Sequence, residues 1–225
     1  MLNYFYLLLA VGLIELFLGI WLLIKYQRSA INTWYGLFIF SVAAWVFSNA
    51  GLYLSEYLGN NNSLFLFNQL TWLAGVVLTC AFLFFSFVFP FSQKPIKKWA
   101  YLLFLIPLTL FSFLVFFTDN FQTDILIAAN SQRYVMGDLF YLFPPFFFVY
   151  WIWSITNLAK KYQAADGIHK WQIKYLLIGI IVSLLIIIGV DIIPITFGWK
   201  VINGVGEFAT LIWLFFTSYI ILKKP

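Results

Sequence analysis

The sequence predicts an all-α, polytopic membrane protein, a seven-transmembrane-helix bundle with its amino terminus outside and its carboxyl terminus in the cytoplasm. Three observations carry this. Of the 225 residues, 64% are hydrophobic and 9% charged, whereas a soluble domain is about half apolar and about a quarter charged. Seven apolar stretches fill most of the chain, each supplying about the twenty residues that a hydrocarbon core near 30 Å requires. The basic residues fall in alternate gaps between those stretches, the pattern that orients membrane proteins.

In order, the stretches run Asn3 to Ile24, Trp34 to Leu54, Phe67 to Phe89, Trp99 to Thr118, Leu139 to Leu158, Trp171 to Val190 and Val205 to Leu222. They form a single membrane domain over residues 1–225. The first has no basic segment before it and no small-residue cleavage site, so it is a retained helix and not a signal peptide. All seven must satisfy their backbone groups internally, and no alternating barrel pattern is present, so they are helices. Pro107 in the fourth and Pro144-Pro145 in the fifth predict bent or loosened helices. In the sixth, Gly179 and Ser183 share one face at small-xxx-small spacing, which favours close helix packing. Trp99 and Trp171 at the inner side and Trp199 at the outer side fit interfacial anchors.

The gaps fix the direction. Lys25 and Arg28 occupy the first, Lys94, Lys97 and Lys98 the third, Lys160, Lys161 and Lys170 the fifth. Lys174 lies just inside the sixth stretch, and Lys223 and Lys224 follow the last. Only Arg133 and Lys200 fall in the other gaps, beside Glu56, Asp119, Asp124 and Asp138, so eleven of thirteen basic residues share one side. That side is cytoplasmic. An odd number of crossings places the termini on opposite sides, in agreement, and omitting the fifth would strand Lys160, Lys161 and Lys170 outside. The chain is expected in the cell inner or plasma membrane. Its longest outer loop, Asp119 to Asp138, caps the outer mouth, touches a ligand or joins two helices; the plain connector is the reading taken.

Polar groups within the stretches are the candidates for function. Glu15 lies near the middle of the first stretch, Glu207 in the outer part of the seventh, and Asp191 at the end of the sixth, three residues before Pro194. A carboxylate in hydrocarbon is costly unless paired, protonated or facing water. Together with Asn68 they form a candidate intramembrane polar or ligand cluster. Asn49, Gln69, Thr71 and Thr79 join it or hold helices together.

Much chemistry is absent from this sequence. One cysteine, Cys80, excludes a disulfide framework and reads as an apolar filler. His169, placed in a short loop after Gly167, is the sole histidine, so no His-based zinc site, haem pair or HExxH helix is available. No phosphate-binding glycine loop or nucleophile elbow occurs, and no lysine lies between Val205 and Leu222 for a retinal Schiff base. No catalytic, metal or cofactor-binding residue is expected, and no nucleic acid, because the positive charge sits in short loops.

Several segments resemble one family in order along the chain: Arg28-Ser29-Ala30-Ile31-Asn32-Thr33-Trp34, Phe85-Ser86-Phe87-Val88-Phe89-Pro90, Lys160-Lys161-Tyr162 through Gln172-Ile173-Lys174-Tyr175-Leu176-Leu177, and Asp191-Ile192-Ile193-Pro194. This order resembles the histidine kinase N-terminal 7TM region, a bacterial membrane sensor module. The resemblance implies a non-catalytic input domain whose last helix, leaving through Tyr219 to Pro225, hands a signal to a cytoplasmic output. It transfers no ligand residues. The usual fusion to an output module is not seen before Pro225, so the output is expected on a cytoplasmic partner, in a homodimer or on a missing domain, and the ligand is an unknown small molecule. A second reading stays open: a small solute or ion carrier with its polar path near Glu15 and Glu207.

Overall fold

Helices occupy every apolar stretch of the sequence. In the computed structural model, which describes residues 2–25, 30–91, 96–128, 131–197, 199, 201–202 and 205–222, they are α1 (Leu2–Lys25), α2 (Ala30–Tyr57), α3 (Asn61–Val88), α4 (Leu102–Phe117), α5 (Phe143–Ala164), α6 (Gly167–Ile187), α7 (Ile193–Thr196) and α8 (Val205–Leu222). Short 3-10 turns, Lys98–Tyr101 and Asp138–Leu142, lead into α4 and α5, and a π-helical turn, Ile188–Ile192, joins α6 to α7. Arg28, Lys94, Lys200 and Lys223-Lys224-Pro225 lie outside the described residues, as do the side chains of Arg133 and Asp191.

Among the described residues, 6 helical segments are long and apolar enough to cross a bilayer, ending with Gly167–Thr196. α8 adds 18 residues, about 27 Å at the helical rise of about 1.5 Å per residue. The turn between α2 and α3 is tight. Gly59 takes φ 66°, which costs a residue without Cβ little, and the Asn60 side chain accepts the Ser63 N–H at 3.1 Å, satisfying one orphan donor of the new helix. The core gathers rings on α2, α3 and α5: Tyr35, Phe38, Phe82, Phe85, Phe147 and Trp151.

Three expectations need correction. The outer loop is more than a connector: β1 (Gln122–Ala128) and β2 (Ser131–Met136) form an antiparallel hairpin, and β3 (Val201–Ile202) adds to β2, giving the order β1-β2-β3. All-α therefore describes the membrane bundle and not the whole chain. The runs Ile125-Leu126-Ile127 and Tyr134-Val135 are good strand formers, too short to stand out inside a polar loop. Pro144 and Pro145 do not bend a helix; they occupy the first turn of α5, where a missing N–H has no intrahelical partner to lose. His169 lies in the first turn of α6, not in a loop.

Packing sorts the connections into two ends. At one end the amino-terminal Tyr4 stacks on Tyr53 of α2. There Leu52 of α2 and Leu64 of α3 also meet Met136 of β2 and Ile195 of α7. At the other end Lys161, in the last turn of α5, donates to the carbonyls of Phe87 in the last turn of α3 and of Phe89 and Phe91 just after it, at 2.7, 2.8 and 3.3 Å. Three ammonium hydrogens thus meet three carbonyls that a helix terminus leaves unsatisfied, and His169 sets its ring edge-on to Phe91. The first end carries Glu56, Asp119 and Asp138, the second Lys97, Lys98, Lys160, Lys161 and Lys170. Charge and packing divide the loops in the same way.

Candidate functional site

Glu15 sits on the face of α1 that presses against α2. One turn to either side, Gly12 and Gly19 let the helices close: a Cβ at Gly12 would stand 2.7 Å from the Phe47 ring, and one at Gly19 would stand 3.1 Å from Ile39. Leu8 and Val11 continue this face against Val46, Ala50 and Tyr53. The approach seals Glu15 completely, at 0% exposure. Its carboxyl reaches α8, where the Thr210 hydroxyl donates to Glu15 Oε1 at 2.7 Å. Glu15 Oε2 is buried with no hydrogen-bond partner.

Glu207 lies one turn before Thr210 and is 7% exposed. The same Thr210 hydroxyl stands 2.5 Å from the Glu207 carbonyl. On the opposite flank of α8, the Ser183 hydroxyl of α6 donates to the Ala209 carbonyl at 2.8 Å. Adjacent residues of α8 are therefore held from two sides, by α1 through Thr210 and by α6 through Ala209.

The other two members of the predicted cluster are not brought to this seam by any described contact. Asn68 belongs to a second polar group at the acidic end of α3. Its Nδ2 donates to Gln122 Oε1 of β1, which also accepts from Trp72 Nε1 at 3.0 Å. Trp72 in turn meets Phe121, Phe140 and Phe143 edge to face, an arrangement that ring quadrupoles favour. Asp191 falls in the π turn after α6, and its side chain lies outside the described residues. Of the helix-holding candidates, Gln69 and Thr79 do cross between helices, Gln69 to the Val115 carbonyl at 2.8 Å and Thr79 to Trp151 Nε1 at 3.4 Å. Asn49 and Thr71 fold back on their own helices.

Sequence reasoning missed Thr210 and the role of Cys80. The spacing of Glu207 and Thr210, three residues apart on one helix, was the available signal for the first. For the second the signal was Pro107, which lacks an N–H and so leaves the Leu103 carbonyl without its helical donor. Tyr150 Oη of α5 fills that vacancy at 2.8 Å, and Cys80 Sγ of α3 approaches it at 3.8 Å.

A groove of about 520 Å³ runs between α2 and α3, walled by Leu37, Phe40, Phe47, Phe67 and Leu70. It is apolar. Its Ser41 and Ser48 hydroxyls are spent on the Phe38 and Ala44 carbonyls, and Glu15 is not on its wall. Among the described residues no group of three His, Cys, Asp or Glu is placed to hold a metal ion.

The sequence model for the N-terminal 7TM region of histidine kinase matches residues 7–218. The chain belongs to that family. No curated protein and no solved structure matches it. As a histidine-kinase 7TM region the chain is a membrane-embedded helical sensor module. In this 7TM region the buried carboxyl groups of α1 and α8 sit on the final helix and its neighbour, whereas the second polar group fastens the hairpin to α3.

Proposed function

We propose that this 7TM region is the input half of a bacterial signalling system, in which α8 carries a change in helix packing to a cytoplasmic output. The observation that carries the reading is the double attachment of α8: to α1 by the Glu15–Thr210 hydrogen bond and to α6 by Ser183–Ala209. A stimulus that breaks one attachment and keeps the other changes the tilt or register of the last helix without unfolding the bundle. Two packings separated by a few polar contacts are the bistable element such a relay requires.

In this reading α8 is the seventh crossing, the acidic end with the hairpin faces outside, and the lysine-rich end faces the cytoplasm of an inner or plasma membrane. Charge asymmetry supports that direction. The output lies on a cytoplasmic signalling partner or arises through a homodimer, and the stimulus is a small ligand or the state of the membrane.

Site-directed crosslinking tests the relay. Cys80 is the sole cysteine, so a Cys80→Ser background accepts cysteine pairs along α1 and α8. A relay predicts that the pattern of crosslinks shifts by a fraction of a turn between parent and Glu15→Gln in lipid nanodiscs. An identical pattern in both removes the seam from the signalling path. Flux in proteoliposomes separates the carrier reading: solute or ion transport abolished by Glu15→Gln or Glu207→Gln makes the chain a carrier.

A further inference from the structure

The Thr210 hydroxyl presents a hydrogen-counting problem. It stands 2.7 Å from Glu15 Oε1 and 2.5 Å from the Glu207 carbonyl, yet a threonine hydroxyl has one hydrogen to give. Either that one hydrogen is shared between the two acceptors, or Glu15 Oε1 carries a proton and donates it to Thr210 Oγ1 while the hydroxyl hydrogen serves the Glu207 carbonyl. Glu15 Oε2 is the oxygen left open to a cation: fully buried and, among the described residues, without a hydrogen-bond partner.

The helices packed around the seam offer no internal counter-charge. α2 and α8 contain no lysine, arginine or histidine, and the one basic residue of α1 is Lys25, its last. That is ten residues, or about 15 Å of helix, from Glu15. The other acidic group of α2, Glu56, ends the helix at the opposite extreme. α6, which flanks α8, carries His169, Lys170 and Lys174 in its first turns, and Asp191 follows it. Carboxyl groups in a low-dielectric seam without an adjacent basic residue are neutral only when each is protonated or paired with a cation.

We propose that Glu15, Glu207 and Thr210 form an intramembrane binding site for a monovalent cation, a proton or an alkali-metal ion, whose occupancy sets how firmly α8 is held to α1. When occupied, the charge of Glu15 is offset, by an alkali ion at Oε2 or by a proton that Oε1 donates to Thr210 Oγ1. When empty, Glu15 is charged on the α1 face toward α8, the helix that carries Glu207, and α8 moves away from α1. This deepens the input reading and rests on it for its signalling meaning. The binding itself is read separately from any helix motion.

The experiment uses the full chain in lipid nanodiscs, with thermal unfolding followed by tryptophan fluorescence at constant ionic strength balanced with choline. One arm raises proton concentration without alkali ions; a second titrates sodium, then potassium, at a fixed alkaline pH. Binding to the folded state raises Tm, by roughly 5–10 °C at a hundredfold excess over Kd. A response in the first arm alone identifies a proton, and a saturable response in the second identifies an alkali ion; both support the site provided Glu15→Gln flattens them. Thr210→Val and Glu207→Gln keep the test usable if Glu15→Gln does not fold, and both should weaken the response. Ser154→Ala, remote from the seam, should respond like the parent. An equal response in parent, Glu207→Gln and Thr210→Val, or no response to either cation in the parent, overturns the proposal. Failure here with shifted α1–α8 crosslinks would leave a relay driven by something else, so the two ideas fall separately.

Discussion

The α3 side of the bundle and the α1–α8 seam both bury polar groups, but they treat charge in opposite ways. Around Trp72 the group is neutral, two amides and an indole N–H walled by Phe121, Phe140 and Phe143. Such a group serves as an uncharged fastener, although Asn68 Oδ1, like Glu15 Oε2, is buried without a hydrogen-bond partner among the described residues. At the seam the group is two carboxyl groups with a single hydroxyl between helices, and an oxygen of Glu15 has no partner. It is incomplete without something added. The difference separates a frame from a moving part: α3, α4 and α5 are cross-tied by rings and side chain–carbonyl bonds, whereas the described polar ties of α8 to its neighbours are the hydroxyls of Thr210 and Ser183, beside the apolar packing of Leu214.

If that division is right, substitutions in the frame cost stability and substitutions in the seam cost little stability but alter response. The largest effect is expected for Trp72→Ala. Truncating a large aromatic in a packed interior costs about 3–5 kcal/mol, and here the Gln122 side chain also loses its indole donor. Unfolding in mild detergent should show a large loss, with faster hydrogen exchange of the hairpin amides. A loss no greater than that of Thr210→Val would erase the distinction between the two regions.

Lys161→Met comes next. One ammonium serves the carbonyls of Phe87, Phe89 and Phe91, and hydrogen bonds to a charged group are worth about 1.5–3 kcal/mol. The three share one side chain and will not add, so a total near 3 kcal/mol is expected. Arginine should recover part of it. The same variant probes whether Lys161 does more than orient the chain, because its removal leaves most of the positive-side charge in place.

The proline of α4 supplies a sharper test. Tyr150→Phe takes away the hydroxyl that serves the Leu103 carbonyl, leaving a buried acceptor at a cost of about 1–3 kcal/mol. Pro107→Ala returns an N–H to that carbonyl. In a double-mutant cycle the cost of Tyr150→Phe should therefore shrink in the Pro107→Ala background. Equal costs in both backgrounds would mean that the tyrosine is not compensating for the proline.

The helices were legible because apolar length and alternating charge are local or nearly local signals. Glu15 and Glu207 were legible as exceptions to that pattern, each a carboxylate within a stretch otherwise free of charge. Their partnership was not, since Thr210 and Glu15 stand 195 residues apart and no periodicity links them. Asn68 was singled out correctly as a buried amide but assigned to the wrong neighbours, because only the fold reveals that β1 returns Gln122 to it. The hairpin escaped notice for a related reason: short aliphatic runs within a polar loop resemble a connector until strand pairing gives them a partner. Proline was ambiguous in sequence, and position within the helix decided it. Pro144 and Pro145 begin α5, while Pro107 interrupts α4 and draws in Tyr150.

Thr210→Val is expected to have the smallest effect on stability and is the most informative about the seam. Valine keeps the volume and branching of threonine and removes the hydroxyl. Hydrogen bonds between membrane helices average about 0.6 kcal/mol, so unfolding should barely change. What should change is the attachment of α8. Without Thr210, Ser183 on α6 is the remaining side-chain hydrogen bond to this part of α8 among the described residues, so α1–α8 crosslinks should weaken while α6–α8 crosslinks persist. Ser183→Ala should give the reverse pattern. If both variants loosen both contacts equally, α8 is held by its apolar packing as one unit, and the two-sided attachment cannot be the switch.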